Sequence, residues 1–167
     1  MNLLRTSLMA VVLLFVATSC SKDEIPVEPE SNFSVDLNLA NKTDWTMANE
    51  ILSLVNAHRS TLNLEPIKLD RRTATAYAVM HTEYMIDNQR ISHDGYAQRS
   101  QALLSEGALR VGENVARGYR SAEDVVNAWL NSQTHRNVIE GDYTHSGFGV
   151  MQDFRGTYYF THLFYSE

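Results

Sequence analysis

Apolar residues recur along the chain with two periods, and the switch between them divides it into a helical part and a strand part. Met47, Ile51, Leu54, Val55, His58 and Leu62 return every three or four residues, the spacing that lines one face of a helix. Asp44 or Thr46 can cap that helix by accepting a free backbone N–H, and Pro66 closes the stretch. A second helix is predicted behind Asp70, with Ala74, Tyr77, Ala78, His81 and Met85 on one face. Its small alanines let another element approach closely. Residues 96–106 also read as helical. Ser121 and Asp124 form a capping-box pattern, with Asp in the usual place of Glu, ahead of the stripe Ala122, Val125, Val126, Trp129 and Leu130. The period then falls to two over 147–152 and 157–165, joined by Asp153-Phe154-Arg155-Gly156, which reads as a hairpin turn. Phe33, Val35, Leu37 and Leu39 alternate with polar residues as well and predict a strand, either packed on the domain or part of a tether. Helices first and strands last give an α+β layered domain over residues 44–167.

The amino terminus follows a different logic. Residues 1–19 carry one charge, Arg5, and an apolar run from Leu8 to Val16. Nine helical residues span only about 13 Å, too short to cross a bilayer, and the pattern is that of a signal peptide. It ends in Ala17-Thr18-Ser19-Cys20, which resembles a bacterial lipobox, so Cys20 is expected to become the lipidated mature end. Residues 21–30 hold four acids, one Lys and two prolines. Like charge and proline oppose collapse, so residues 20–43 are expected to form an extended acidic tether. The Lys22-Asp23-Glu24 run also resembles a surface-export tag of Gram-negative lipoproteins.

Composition narrows the function classes. Apolar residues make up 44% and charged residues 20%, an ordinary globular balance that excludes wholesale disorder. The net charge of −6 becomes −7 once residues 1–19 are removed, which argues against a nucleic-acid partner and against electrostatic attachment to anionic lipid. With a single cysteine no intrachain disulfide can form, so the domain holds together by packing.

Three stretches could carry chemistry: Ile91-Ser92-His93-Asp94-Gly95, Val111-Gly112-Glu113-Asn114-Val115-Ala116, and Trp129 to Ile139. If the helix after Ser121 continues, Val125, Trp129, Ser132 and His135 or Arg136 share one side. His93, Glu113 and His135 are expected at element ends, where polar side chains converge. Two imidazoles and a carboxylate can bind Zn²⁺ with an open fourth position, or act as a general acid–base set. Glu113 could equally be a buried carboxylate that caps backbone amides. His58 and His81 lie on apolar helix faces as core or cleft-wall residues. Asn114 is expected to tie loops together, Arg136 and Asn137 to anchor their segment, and His145 and His162 to be structural.

The order Ser92-His93, Gly112-Glu113-Asn114-x-Ala116, Trp129-x-x-Ser132-x-x-His135-Arg136 and Gly147-Phe148-Gly149-Val150 resembles the CAP superfamily. That superfamily holds the cysteine-rich secretory proteins, antigen 5, plant pathogenesis-related proteins and bacterial SCP-like proteins. Leu54-Val55-Asn56-x-x-Arg59 and Leu69-Asp70 fit as well, and the likeness covers about residues 46–165. It implies a three-layer α-β-α sandwich with a central antiparallel sheet and a surface cleft. The superfamily's cleft often carries two His and two Glu. His93 and Glu113 match the first of each; Ser132 stands at the second Glu position, and no His stands at Tyr143, with His145 two residues away. The bacterial variant implied here supplies Ser132 and His135 instead.

These readings converge on a bacterial lipoprotein of the outer membrane or cell surface, held by acyl chains on Cys20. Its cleft, with His93, Glu113, Asn114 and His135, is expected to take a small ligand, or to bind Zn²⁺ or another divalent cation through His93, Glu113 and His135. A hydrolase is the alternative, with Ser132 as nucleophile, His135 or His93 as base and Glu113 as orienter. The resemblance by itself adds lipid or sterol binding, and an extracellular protein is a further candidate partner.

Overall fold

Entry into three of the α-helices in this domain is governed by a side chain that accepts first-turn N–H groups. Asp44 accepts the Met47 N–H at 3.1 Å and starts α1, Trp45–Thr61. Asp70 takes the backbone N–H groups of Arg72, Thr73 and Ala74 at 2.7, 3.1 and 2.9 Å and starts α2, Thr73–Asp87. Ser121 accepts from Asp124 N–H at 3.1 Å and starts α4, Ala122–Asn131. Each satisfies donors that a helix leaves orphaned in its first turn. Residues 33–167 are described by the structure, a computed structural model; the expected signal peptide, Cys20 and residues 21–30 of the tether lie outside the described residues.

The remaining elements are a 3₁₀ helix (Leu37–Lys42), α3 (Tyr96–Ser105), α5 (Gln133–Ile139) and strands β1 (Lys68–Leu69), β2 (Arg110–Arg117), β3 (His145–Gln152) and β4 (Tyr158–Ser166). The sheet order is β1-β3-β4-β2. β4 pairs antiparallel with both neighbours, and the two-residue β1 adds a parallel edge to β3. The α+β layered expectation holds. Alternation along β4 explains the two outer layers. Phe160 and Phe164 face α1 and α4 in a core with Ile51, Val55, Val125 and Trp129. Leu163 and Tyr165 face α2 and α3, meeting Ala74, Ala78, Ala102 and Leu103.

The alanine face of α2 lies directly on β3, and two glycines make this contact possible. A Cβ on Gly147 would sit 2.2 Å from the Thr75 nitrogen, and one on Gly149 would sit 2.3 Å from the Ala78 oxygen. No side chain fits there, so either Gly→Ala substitution forces helix and sheet apart.

Four expectations are corrected. Leu37–Lys42 is a 3₁₀ helix rather than a strand, because the Asp36 carboxylate captures the Asn38 N–H at 2.9 Å and competes with a sheet ladder. Phe33 packs on the domain, stacked on Tyr77 at 5.7 Å, and Ala40 and Thr43 are buried, so the described part of the expected tether, residues 33–43, belongs to the domain and the boundary at 44 moves back. The helix after Ser121 does not continue through the third stretch: Ser132 turns to φ −97°, ψ 118° and separates α4 from α5. Glu113 lies inside β2 and not at an element end. β2 is covered on both faces through Gly112–Ala116, so it shows no alternation and its motif does not read as a strand.

At the centre of β4, His162 is fully buried between Phe148 and Phe164, with ring centroids 3.9 and 3.7 Å away. Neither ring nitrogen has a hydrogen-bond partner among the described residues. Burial holds its pKa well below the ordinary imidazole value, so the native ring is neutral. The unfolded chain takes up a proton below about pH 6.5 that the native chain refuses. Stability from this residue is therefore full above that pH and falls as the pH drops, by up to about 1.4 kcal/mol per unit. Urea unfolding measured between about pH 7 and about pH 5 should show this slope, and His162→Phe should flatten it by one proton's worth. An unchanged slope in the variant would contradict the assignment.

Candidate functional site

Adjacent residues on an edge strand point to opposite faces of a sheet. On β2 that rule sends Glu113 to the α2/α3 side and Asn114 to the α4/α5 side, so the motif serves both rims of one cleft.

On the first rim, the Glu113 carboxylate is 1% exposed and meets Arg99 from α3, itself 3% exposed. Arg99 Nε donates to Oε2 at 2.9 Å and Nη2 donates to Oε1 at 2.9 Å, a bidentate fork. Arg99 Nη1 donates to the Asp94 carbonyl at 2.8 Å and so holds the loop before α3. Gly95 enters that helix at φ 70°, a left-handed conformation that favours glycine, with any Cβ placed 3.2 Å from Arg99 Nη1. Burial by itself would raise the Glu113 pKa. The hydrogen bond from His93 and the charge of Arg99 outweigh it and hold the carboxyl below its usual range.

An ionised carboxylate can only accept, so His93 Nδ1–H donates to Glu113 Oε1 at 2.8 Å. In the neutral ring that bond leaves Nε2, with its lone pair, as the free nitrogen of a half-exposed side chain. His81 sits behind it, buried on α2. Its Nε2 donates to the Ser92 carbonyl at 2.7 Å and lies 4.0 Å from Glu113 Oε1. Burial and the Arg99 charge lower its pKa and keep it neutral. His81 therefore sets the backbone that delivers His93.

On the second rim, Asn114 Nδ2 donates to the His135 carbonyl at 3.1 Å, tying α5 to the sheet. Arg136 anchors the same segment through the Leu130 carbonyl at 2.6 Å. Arg59 is buried in α1 and donates to the carbonyls of Glu65, Ile139, Gly141 and Tyr143 at 2.9, 2.7, 2.8 and 3.4 Å. This clamp fixes the turn that presents Tyr143. The Tyr143 ring lies over Gly112, where a Cβ would come within 2.5 Å of its hydroxyl oxygen. Tyr96 donates to the Val111 carbonyl at 2.8 Å and stands opposite.

Between the rims is a cleft of about 330 Å³ lined by His93, Tyr96, Val111, Gly112, Glu113, Val138 and Tyr143. The structure thus brings His93 and Glu113 together and sets Asn114 and His135 on the other side of β2. His135 is half-buried, and burial, followed by the charge of His93, lowers its pKa. Ser132 lies at the α4–α5 junction, and among the described residues no hydrogen bond joins it to His93, His135 or Glu113. The expected metal donors do not fit an ion as they stand. Both Glu113 oxygens are bonded to Arg99 and one also to His93, and among the described residues no group of three or more His, Cys, Asp or Glu side chains could hold a metal.

Arg99 and Tyr96 are site residues that no motif singles out; Arg59 closes the Leu54-Val55-Asn56-x-x-Arg59 motif without a role there, and Tyr143 is named only as the position that lacks the second His. For Arg99 and Arg59 a signal of burial is present. Arg99 shares a helix face with Ala102 and Leu103, and Arg59 continues the stripe Ile51, Val55. A cation on an apolar face implies a buried partner.

Comparison with known proteins places this geometry. The Cysteine-rich secretory protein family (CAP) profile matches residues 52–164. The uncharacterized protein YkwD of Bacillus subtilis is 32% identical over 108 residues, covering 62% of this chain and 42% of the relative. An extracellular protein with an SCP domain from Bacillus anthracis aligns with TM-score 0.62 and 28% identity, over 71% of this chain and 40% of that one. An outer surface protein of Borrelia burgdorferi shares the fold, with TM-score 0.66 and 24% identity over 74% of this chain and 94% of that one. The chain thus spans about two fifths of YkwD and of the Bacillus anthracis protein.

Glu113→Gln strands the Arg99 guanidinium without its counter-charge and should cost about 3–5 kcal/mol in urea unfolding. The double variant Arg99→Met with Glu113→Leu should recover most of that loss, because replacing both members of a buried pair by apolar groups is close to neutral. A single variant as stable as the parent would contradict the buried pairing.

Proposed function

The chain belongs to the cysteine-rich secretory protein (CAP) family, and from that premise we propose that it is a surface-anchored binding module whose cleft takes a small, largely uncharged ligand. The observation that carries this reading is the imbalance of the cleft. Its walls are Tyr96, Val111, Val138 and Tyr143, while its carboxylate is consumed by Arg99 and His93. What remains for a ligand is apolar and aromatic surface with one well-placed acceptor, His93 Nε2. A ligand that stacks on a phenol ring and donates one hydrogen bond satisfies all of it.

The hydrolase reading, with Ser132, His135 or His93, and Glu113, needs a nucleophile bonded to its base. No observation here favours it over binding. Lipid or sterol binding stays within the apolar-ligand class but has no residue of its own in support.

The anchoring half of the proposal rests on the apolar run from Leu8 to Val16 ending at Ala17-Thr18-Ser19-Cys20. The extracellular and outer-surface descriptions of the matched bacterial proteins agree with it. Acyl chains on Cys20 would hold the domain at the outer membrane or cell surface, with the acidic residues 21–30 as spacer. Cys20→Ser should move the protein from the membrane fraction to the soluble fraction; retention in the membrane would contradict lipidation.

Phenol serves as the probe for the cleft. In NMR titration of the mature chain it should shift His93, Tyr96 and Tyr143 with a Kd on the order of 1 mM. His93→Phe should weaken binding about tenfold, the value of one lost hydrogen bond. Gly112→Ala should abolish it by displacing Tyr143. Shifts scattered outside the cleft, or unchanged in Gly112→Ala, would contradict the reading.

A further inference from the structure

We propose that Arg99 occupies the cation's place in this cleft, closing it to divalent metal ions and leaving His93 as an acceptor for uncharged ligands. This sharpens the ligand class of the same cleft and rests on its being a binding site.

Counting lone pairs gives the first reason. A metal ion needs several unprotonated donors directed at one point. Glu113 Oε2 receives Arg99 Nε with Arg99 Nη2 also 2.8 Å away, and Oε1 receives both Arg99 Nη2 and His93 Nδ1, all within 2.8–2.9 Å. His93 Nδ1 carries the proton it donates. His81 Nε2 is directed at the Ser92 carbonyl and carries a proton as well. One unprotonated nitrogen, His93 Nε2, is left on this rim; even with the His135 imidazole, whose pKa burial and the His93 charge lower, a divalent ion would find two protein donors, fewer than the three of an open zinc site.

Charge gives the second reason. The guanidinium is buried directly against the carboxylate, with side chains 3% and 1% exposed. It is permanently charged and weakly screened, so a divalent ion brought to the same carboxylate meets a fixed positive neighbour. The pair is neutral as it stands, and an uncharged ligand meets no such barrier.

Removing the guanidinium reverses both conditions. Glu113 would keep its buried position with free oxygens, while His93 could turn over its tautomer and offer Nδ1. Arg99→Met should therefore create a metal site where the parent has none.

The experiment uses the mature chain, with Co²⁺ and Zn²⁺ as probes, followed by cobalt absorption and calorimetry. The parent should show no binding that depends on Glu113 or His93. Arg99→Met should bind Co²⁺ at least about tenfold more tightly than the parent, and adding Glu113→Gln should abolish that gain. Arg99→Lys, which keeps the charge, should stay closed. As an independent readout, the Glu113 carboxyl followed by ¹³C NMR should titrate higher in Arg99→Met than in the parent, because burial then acts without its nearest counter-charge. Arg99→Ala, which removes both the charge and the donors, substitutes if Arg99→Met does not fold. Metal binding by the parent that is lost in Glu113→Gln or in His93→Phe would overturn the proposal, as would a folded Arg99→Met or Arg99→Ala variant with no gain. If neither variant folds, the parent's titration decides alone. Failure of phenol to bind would instead defeat the ligand reading and leave the metal result standing.

Discussion

A carboxylate sealed inside a protein must find a counter-charge, and in this domain the counter-charge is Arg99. Glu113 lies on an edge strand and turns inward beneath α3, where water cannot solvate it. Leaving such a charge unpaired costs several kcal/mol, so the position of α3 and the state of Glu113 are linked. The same carboxylate fixes the His93 ring from the other side. One ion pair thus joins an edge strand, a helix and a loop that are separate in sequence, and it decides which imidazole nitrogen faces solvent.

The opposite rim is held by main-chain carbonyls rather than charge pairs. Arg59 collects carbonyls from the segments before β1 and β3, and Asn114 holds the His135 carbonyl. Trp129 Nε1 takes the Val115 carbonyl at 3.2 Å, and Tyr96 takes that of Val111, so side chains occupy edge carbonyls that a further strand would otherwise pair. Both rims are tied by hydrogen bonds to the one strand between them, which fixes the walls of the cleft.

Much of this was legible in the sequence. Ala74, Ala78 and Met85 announced the buried face of α2, and Gly147 and Gly149 turned out to be its receiving surface. Asp44, Asp70 and Ser121 marked helix starts through local hydrogen bonding, which sequence spacing encodes directly. The ordered motifs around His93, Glu113 and His135 gave the family and the neighbourhood of the cleft. They did not give the break at Ser132, because α4 and α5 are each compatible with helical spacing and their separation is a tertiary choice. Nor did they give the division of Glu113 and Asn114 between two faces, since β2 is buried on both sides and lacks alternation. The role of Arg99 is not legible for a related reason: its partner is 14 residues away and reached through the fold, not through a repeat.

The tautomer of His93 tests the central arrangement most directly. Nitrogen-15 NMR of the neutral ring should find the proton on Nδ1 and the lone pair on Nε2, with a coupling across the hydrogen bond to Glu113. A neutral His93 that carries its proton on Nε2 would contradict the arrangement, because Glu113 would then no longer orient the ring that faces the cleft.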